Sequence, residues 1–93
     1  MKINWSSHFV RETRAITKNN LPLLNKLNST LEILEENPFT NSLNTHKLKG
    51  YLLGSWSCSI DYQHRIVFDF VNNPETDEQE ILLQSIGTHD EVY

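Results

Sequence analysis

Cysteine, long apolar runs and, in the second half, basic residues are what this chain has least of. A single cysteine in 93 residues, Cys58, can neither close an internal disulfide nor build a metal cage, so the fold must rest on packing. No apolar run is long enough to span a bilayer, and the opening Met1-Lys2-Ile3-Asn4-Trp5 has no h-region of the signal-peptide kind. Together these features predict a cytoplasmic protein. There is no internal repeat and no low-complexity segment. The four histidines, His8, His46, His64 and His89, show no metal-ligand spacing, which sets a zinc site aside.

Charge is distributed unevenly along the chain. Residues 1–53 carry seven Lys or Arg against four Glu, a net of +3. Residues 54–93 carry Arg65 alone against eight carboxylates, a net of −7. An acidic total of −4 counts against broad, nonspecific nucleic-acid binding, which needs clustered cations, but leaves room for a local basic patch. The acidic half suits a basic partner protein.

The first half reads as helix and the second as strand. Ile3 to Trp5 suits a short strand, with Ser6 or Ser7 placed to cap a helix that runs to about Lys18 and buries Phe9, Val10, Thr13 and Ile16. Asn19-Asn20 breaks it, and Leu21-Pro22 restarts it, because proline is tolerated in a first turn. Leu24, Leu27, Leu31 and Leu34 then predict an apolar stripe on one helical face, ended by Asn37-Pro38. Phe39 to Gly54 reads as loop. Trp56 to Tyr62 alternates with period two, Arg65 to Val71 is nearly all apolar, Asn72 to Glu78 is a polar turn, and Ile81 to Ile86 is a further strand. The expected architecture is α+β: a single domain over residues 1–93, with an N-terminal helical hairpin packed on a mainly antiparallel sheet of three to four strands.

Four segments carry a resemblance. They are His46-Lys47-Leu48-Lys49-Gly50, Trp56-Ser57, His64-Arg65-Ile66-Val67-Phe68 and Gly87-Thr88-His89-Asp90-Glu91-Val92-Tyr93. In order and spacing they resemble the RelE/ParE superfamily of bacterial toxins, most closely its RelE, YafQ and YoeB branches. The resemblance implies a type II toxin that enters the ribosomal A site, cuts mRNA and is neutralised by a cognate antitoxin. The implied chemistry needs no metal or other cofactor. A ribose 2′-OH attacks the adjacent phosphate, which requires a base, an acid for the leaving 5′ oxygen and a cation beside the phosphorane.

On that resemblance His46 is the candidate base, Arg65 the phosphate-binding cation and His89 the general acid. Lys47 and Lys49 would grip phosphates, and Tyr93 would stack on a base. Blander readings stand beside these: a loop histidine for His46, a solvated tail for His89 and Tyr93, and an arginine paired with Asp61 or Asp69 for Arg65. His64, next to Arg65, should face the other side of the strand, and Cys58 reads as core. The chain also departs from the family at Cys58, Ser59, Gln63 and Ser85, where relatives carry basic or acidic groups. Two alternatives follow from the same fold: a ParE-like toxin acting on gyrase, or a catalytically weak antitoxin-binding member. Under each the partner is an antitoxin, through a helical segment with apolar anchors and some basic residues. Messenger RNA and the ribosome are further partners of the nuclease reading. No membrane is expected, and DNA is reached at most through the antitoxin complex.

Overall fold

The computed structural model describes residues 1–88, the side chain of Tyr51 excepted. Its elements in chain order are β1 (Ile3–Trp5), α1 (Ser7–Thr17), α2 (Leu21–Glu36), β2 (His46–Lys47), β3 (Trp56–Ser59), β4 (His64–Asn72) and β5 (Gln79–Thr88). Short 3₁₀ turns at Asn41–Leu43 and Gly50–Leu52 flank β2.

Both helices begin where their side chains can satisfy the first backbone donors. Ser6 Oγ accepts the Phe9 N–H at 3.0 Å, and Asn20 Oδ1 accepts the Leu23 N–H at 3.1 Å. Phe9 and Thr13 are the buried residues of α1, with Val10 and Ile16 half-buried. On α2 the buried stripe is Leu23, Leu27, Thr30 and Leu34 rather than the all-leucine set expected. Leu24 and Leu31 lie half-buried on its flanks. Thr30 can enter the stripe because its hydroxyl donates back to the Lys26 carbonyl at 2.8 Å and so is not buried without a partner, unlike the Thr13 hydroxyl of α1, which has none among the described residues.

The sheet has five strands in the order β1-β5-β4-β3-β2. β1 runs parallel to β5 and every other pairing is antiparallel. The sheet has one strand more than the upper count expected, β2, in the segment read as loop; it and β1, the two shortest strands, form the two edges, which limits edge-to-edge association. β3 ends at Ser59, not Tyr62. There Asp61 Oδ1 takes the N–H groups of Gln63 (2.9 Å) and His64 (2.8 Å), making a turn that leaves Tyr62 95% exposed. A register shift between Val67 and Phe68 leaves Gln84 without a partner residue on β4.

Phe9, Leu27 and Leu34 meet Cys58, Ile66, Phe68, Ile81, Leu83 and Ile86 in one buried cluster, so both helices cover the same face of the sheet. A second, smaller cluster of Leu48, Val67 and Leu52 lies on the other face. No helix among the described residues is long and apolar enough to cross a membrane.

Candidate active site

Cross-strand neighbours in a sheet share a face, and the pairing therefore sorts the candidate residues. His46 pairs with Ser57, Ser57 with Val67, and Val67 with Ser85. This row lies on the face away from the helices. Arg65, two residues before Val67, is on the same face, between Ser59 and Gly87. His46 and Arg65 are thus brought together, roughly 10 Å apart across the sheet and 7 Å along it at the backbone.

His46 is exposed, and its Nδ1 lies 2.9 Å from the Asn44 carbonyl oxygen. A carbonyl can accept but not donate, so in the neutral ring Nδ1 carries the proton and Nε2 the lone pair. Asn44 holds that carbonyl in place from a left-handed conformation (φ 51°), which asparagine tolerates. Arg65 is half-buried, and its Nη1 donates to the carbonyls of Asp61 (2.7 Å), His64 (3.1 Å) and Tyr62 (3.4 Å). Among the described residues no carboxylate pairs with it. Asp61 is engaged by His64 Nδ1 at 3.0 Å and Lys26 Nζ at 3.6 Å. Asp69 accepts from Ser55 Oγ (2.5 Å) and Gln84 Nε2 (2.7 Å). The arginine is therefore fixed by neutral groups, and no described carboxylate cancels its charge.

The titration of the neighbours fits this arrangement. Burial works to raise the Asp61 carboxyl, but bonds from the His64 N–H, the His64 ring and the Gln63 N–H outweigh it and hold the group below its ordinary value. Burial pushes the Cys58 thiol up to about 12, partly offset by the Arg65 charge, so Cys58 is a core residue and no nucleophile.

The remaining candidates divide. Lys49 is exposed and precedes the Gly50–Leu52 turn. Lys47 pairs with Trp56 and so faces the helix side of the sheet, its Nζ 5.4 Å from the Trp56 ring centroid. The fold does not bring it to the face of His46 and Arg65. β5 is described to Thr88, which pairs with His64. His89 and Tyr93 lie outside the described residues. Two features escaped the sequence reading: the buried Ser57 in the row between His46 and Val67, and the Ser55–Asp69–Gln84 set beside it. Strand alternation would have placed Ser55, Ser57 and Asp69 on this face, but the Gln84 bulge has no signal in sequence. Among the described residues no three of His, Cys, Asp and Glu converge as metal ligands.

Solved bacterial toxins share this fold. YafQ from E. coli strain BL21(DE3) superposes with a TM-score of 0.79 at 16% identity, over 99% of this chain and 97% of that one. A YoeB/ParE toxin from Agrobacterium tumefaciens gives 0.76 at 22% identity, over 96% and 99%. The YoeB–YefM complex from Staphylococcus aureus gives 0.70 at 23%, over 96% and 97%. The class is therefore that of the RelE-like toxin fold. The family model described as a bacterial toxin of type II toxin–antitoxin systems, YafQ, matches residues 1–93, and the chain belongs to that family. No curated protein matches it in sequence.

Proposed function

We propose that residues 1–93 act as one toxin domain, a metal-independent endoribonuclease that cuts mRNA in the ribosomal A site of the cytoplasm. One observation carries this reading: His46, with its lone pair on Nε2, shares a sheet face with an arginine whose charge no described carboxylate cancels. Nε2 of His46 takes the proton of a ribose 2′-OH, and the 2′ oxygen bonds to the adjacent phosphorus. Arg65 donates to the equatorial oxygens as charge builds on the phosphorane. His89 gives its proton to the 5′ oxygen as the P–O5′ bond breaks. The products are a 2′,3′-cyclic phosphate and a 5′-OH end. Lys49 and Lys47 hold flanking phosphates, and Tyr93 stacks on a base.

Family membership supports an antitoxin partner, and in the solved staphylococcal complex YoeB is bound to YefM. The test is to map RNA ends after a brief induction without antitoxin. Cuts within codons ending in cyclic phosphate are expected, and they should disappear in the His46→Ala, Arg65→Ala double variant. Intact mRNA with arrested growth would overturn the nuclease reading. A second reading, a catalytically weak antitoxin-binding member, draws on the three carbonyls that occupy Arg65 Nη1. It predicts harmless expression with retained antitoxin binding. A gyrase inhibitor of ParE type would instead leave mRNA whole and disturb supercoiling.

A further inference from the structure

The turn between β3 and β4 is built around one carboxylate. Asp61 Oδ1 accepts three bonds, from the Gln63 N–H (2.9 Å), the His64 N–H (2.8 Å) and the His64 ring at Nδ1 (3.0 Å). Its other oxygen, Oδ2, lies 3.6 Å from Lys26 Nζ of α2. The Ile60 N–H closes the turn by donating to the His64 carbonyl at 3.0 Å. A side chain that accepts the N–H groups of its own turn fixes the backbone there, and with it the direction of the turn's carbonyls.

Those carbonyls are what hold Arg65. Nη1 donates to the oxygens of Asp61 (2.7 Å), His64 (3.1 Å) and Tyr62 (3.4 Å), so three carbonyls of one turn converge on one nitrogen. Among the described residues no group takes Nε or Nη2, and that edge of the guanidinium can meet a phosphate with two parallel bonds. An arginine side chain left to itself spreads over many rotamers, and ordering it has an entropic cost. Here the constraint runs from the Asp61 carboxylate to the turn backbone, from the carbonyls to Nη1, and from Nη1 to the open edge. Lys26 adds little to it, because its side chain is 57% exposed and its ion pair is screened by water.

We propose that Asp61 is a positioning residue of the cleavage reaction: its carboxylate shapes the β3–β4 turn so that the carbonyls aim the Arg65 guanidinium at the phosphate. The inference rests on the nuclease reading above, in which Arg65 meets the phosphorane, and adds the group that orients it. Asp61 itself touches no substrate and acts through Arg65.

The test is cleavage by the purified chain of mRNA held in the ribosomal A site, with toxin concentration varied to separate the maximal rate from half-saturation. Asp61→Ala should lower the maximal rate about ten-fold or more and leave half-saturation within about two-fold, because a misaimed cation costs the chemical step. Asp61→Asn keeps an oxygen that accepts the same N–H groups and should cut within about three-fold of wild type. Lys26→Ala should stay within about two-fold. Arg65→Ala should be slower than all of these, by about 10²-fold. Adding Asp61→Ala to Arg65→Ala should slow it by no more than about two-fold, since the route through Arg65 is already gone, whereas a general loss of structure would carry over in full. The urea midpoint verifies that each variant is folded. If Asp61→Ala does not fold, Asp61→Ser, whose hydroxyl makes the turn bonds more weakly, replaces it in both backgrounds. A wild-type rate in Asp61→Ala, an Asp61→Asn as slow as the alanine variant, or a full loss in the Arg65→Ala background overturns the positioning role. Normal cutting by Arg65→Ala, or none by wild type, overturns the nuclease reading and the positioning role with it.

Discussion

The two faces of the sheet are built from different materials. Under the helices the strands present Cys58, Ile66, Phe68, Ile81, Leu83 and Ile86, at most 2% exposed. On the other face they present Ser57, Ser59, Arg65, Asp69, Ser85 and Gln84, with Leu48, Val67 and Leu52 as a small apolar island. Side chains alternate along a strand, so one nine-residue strand, β4, supplies both faces: Ile66 and Phe68 to the core, Arg65 and Asp69 to the polar side. The lesson is a division of labour by parity. One set of positions holds the fold together, and the interleaved set is available for chemistry because the first carries the hydrophobic load.

The largest effect should come from the helix side. Phe68 is fully buried and touches Phe70 edge-on at 5.4 Å. Phe68→Ala should cost about 3–5 kcal/mol, much of the stability of a small domain, read from the urea midpoint. A shift under about 1 kcal/mol would mean the core does not depend on this face. On the other face, His46→Ala should leave that midpoint nearly unchanged while lowering cleavage about 10²–10⁴-fold. A variant that cut normally would remove His46 from the chemistry and leave the parity rule without its functional half.

Asp69 tests where the division breaks down. It lies on the polar face yet ties the start of β3, through Ser55, to the bulge in β5, through Gln84. Asp69→Ala leaves two donors without their acceptor and should cost about 1–3 kcal/mol. Asp69→Asn should cost less, since the Gln84 amide can turn to offer its oxygen. Equal losses in the two variants would show that charge, and not hydrogen bonding, is what matters there.

Helices, caps and the long strands were legible because their signals are local. Ser6 and Asn20 announce helix starts, and the period-two run from Trp56 announces β3. What was hidden depends on partners far along the chain. β2 is two residues long and exists because it meets Ser57 and Trp56, with the Leu48 N–H donating to the Ser55 carbonyl at 2.9 Å. Without that strand, His46 and Lys47 read as neighbours in one loop. With it, they face opposite ways. Arg65 was expected beside a phosphate or a carboxylate, but the Asp61 turn supplies carbonyls that hold it, a contact no residue pattern announces.

The smallest expected effect concerns the far end of the polar face. Glu80 is buried and accepts from Asn73 Nδ2 at 3.0 Å and Asn4 Nδ2 at 2.9 Å, linking the β4–β5 turn to β1. The Asn73 bond, then the Asn4 bond, hold its carboxyl below the ordinary value of 4.5, against the opposing effect of burial. A folded-state value below the unfolded one means that ionised Glu80 adds stability at neutral pH. That contribution is complete above the unfolded value and is lost as pH falls through the lowered folded one. Glu80→Gln keeps the shape and removes the titration. Wild type should melt slightly above the variant at pH 7, and the gap should close as the pH is taken well below 4.5. A gap that stays constant down to acid pH would assign the linkage to shape alone. It would also make the polar face at this end a structural surface like the one beneath the helices.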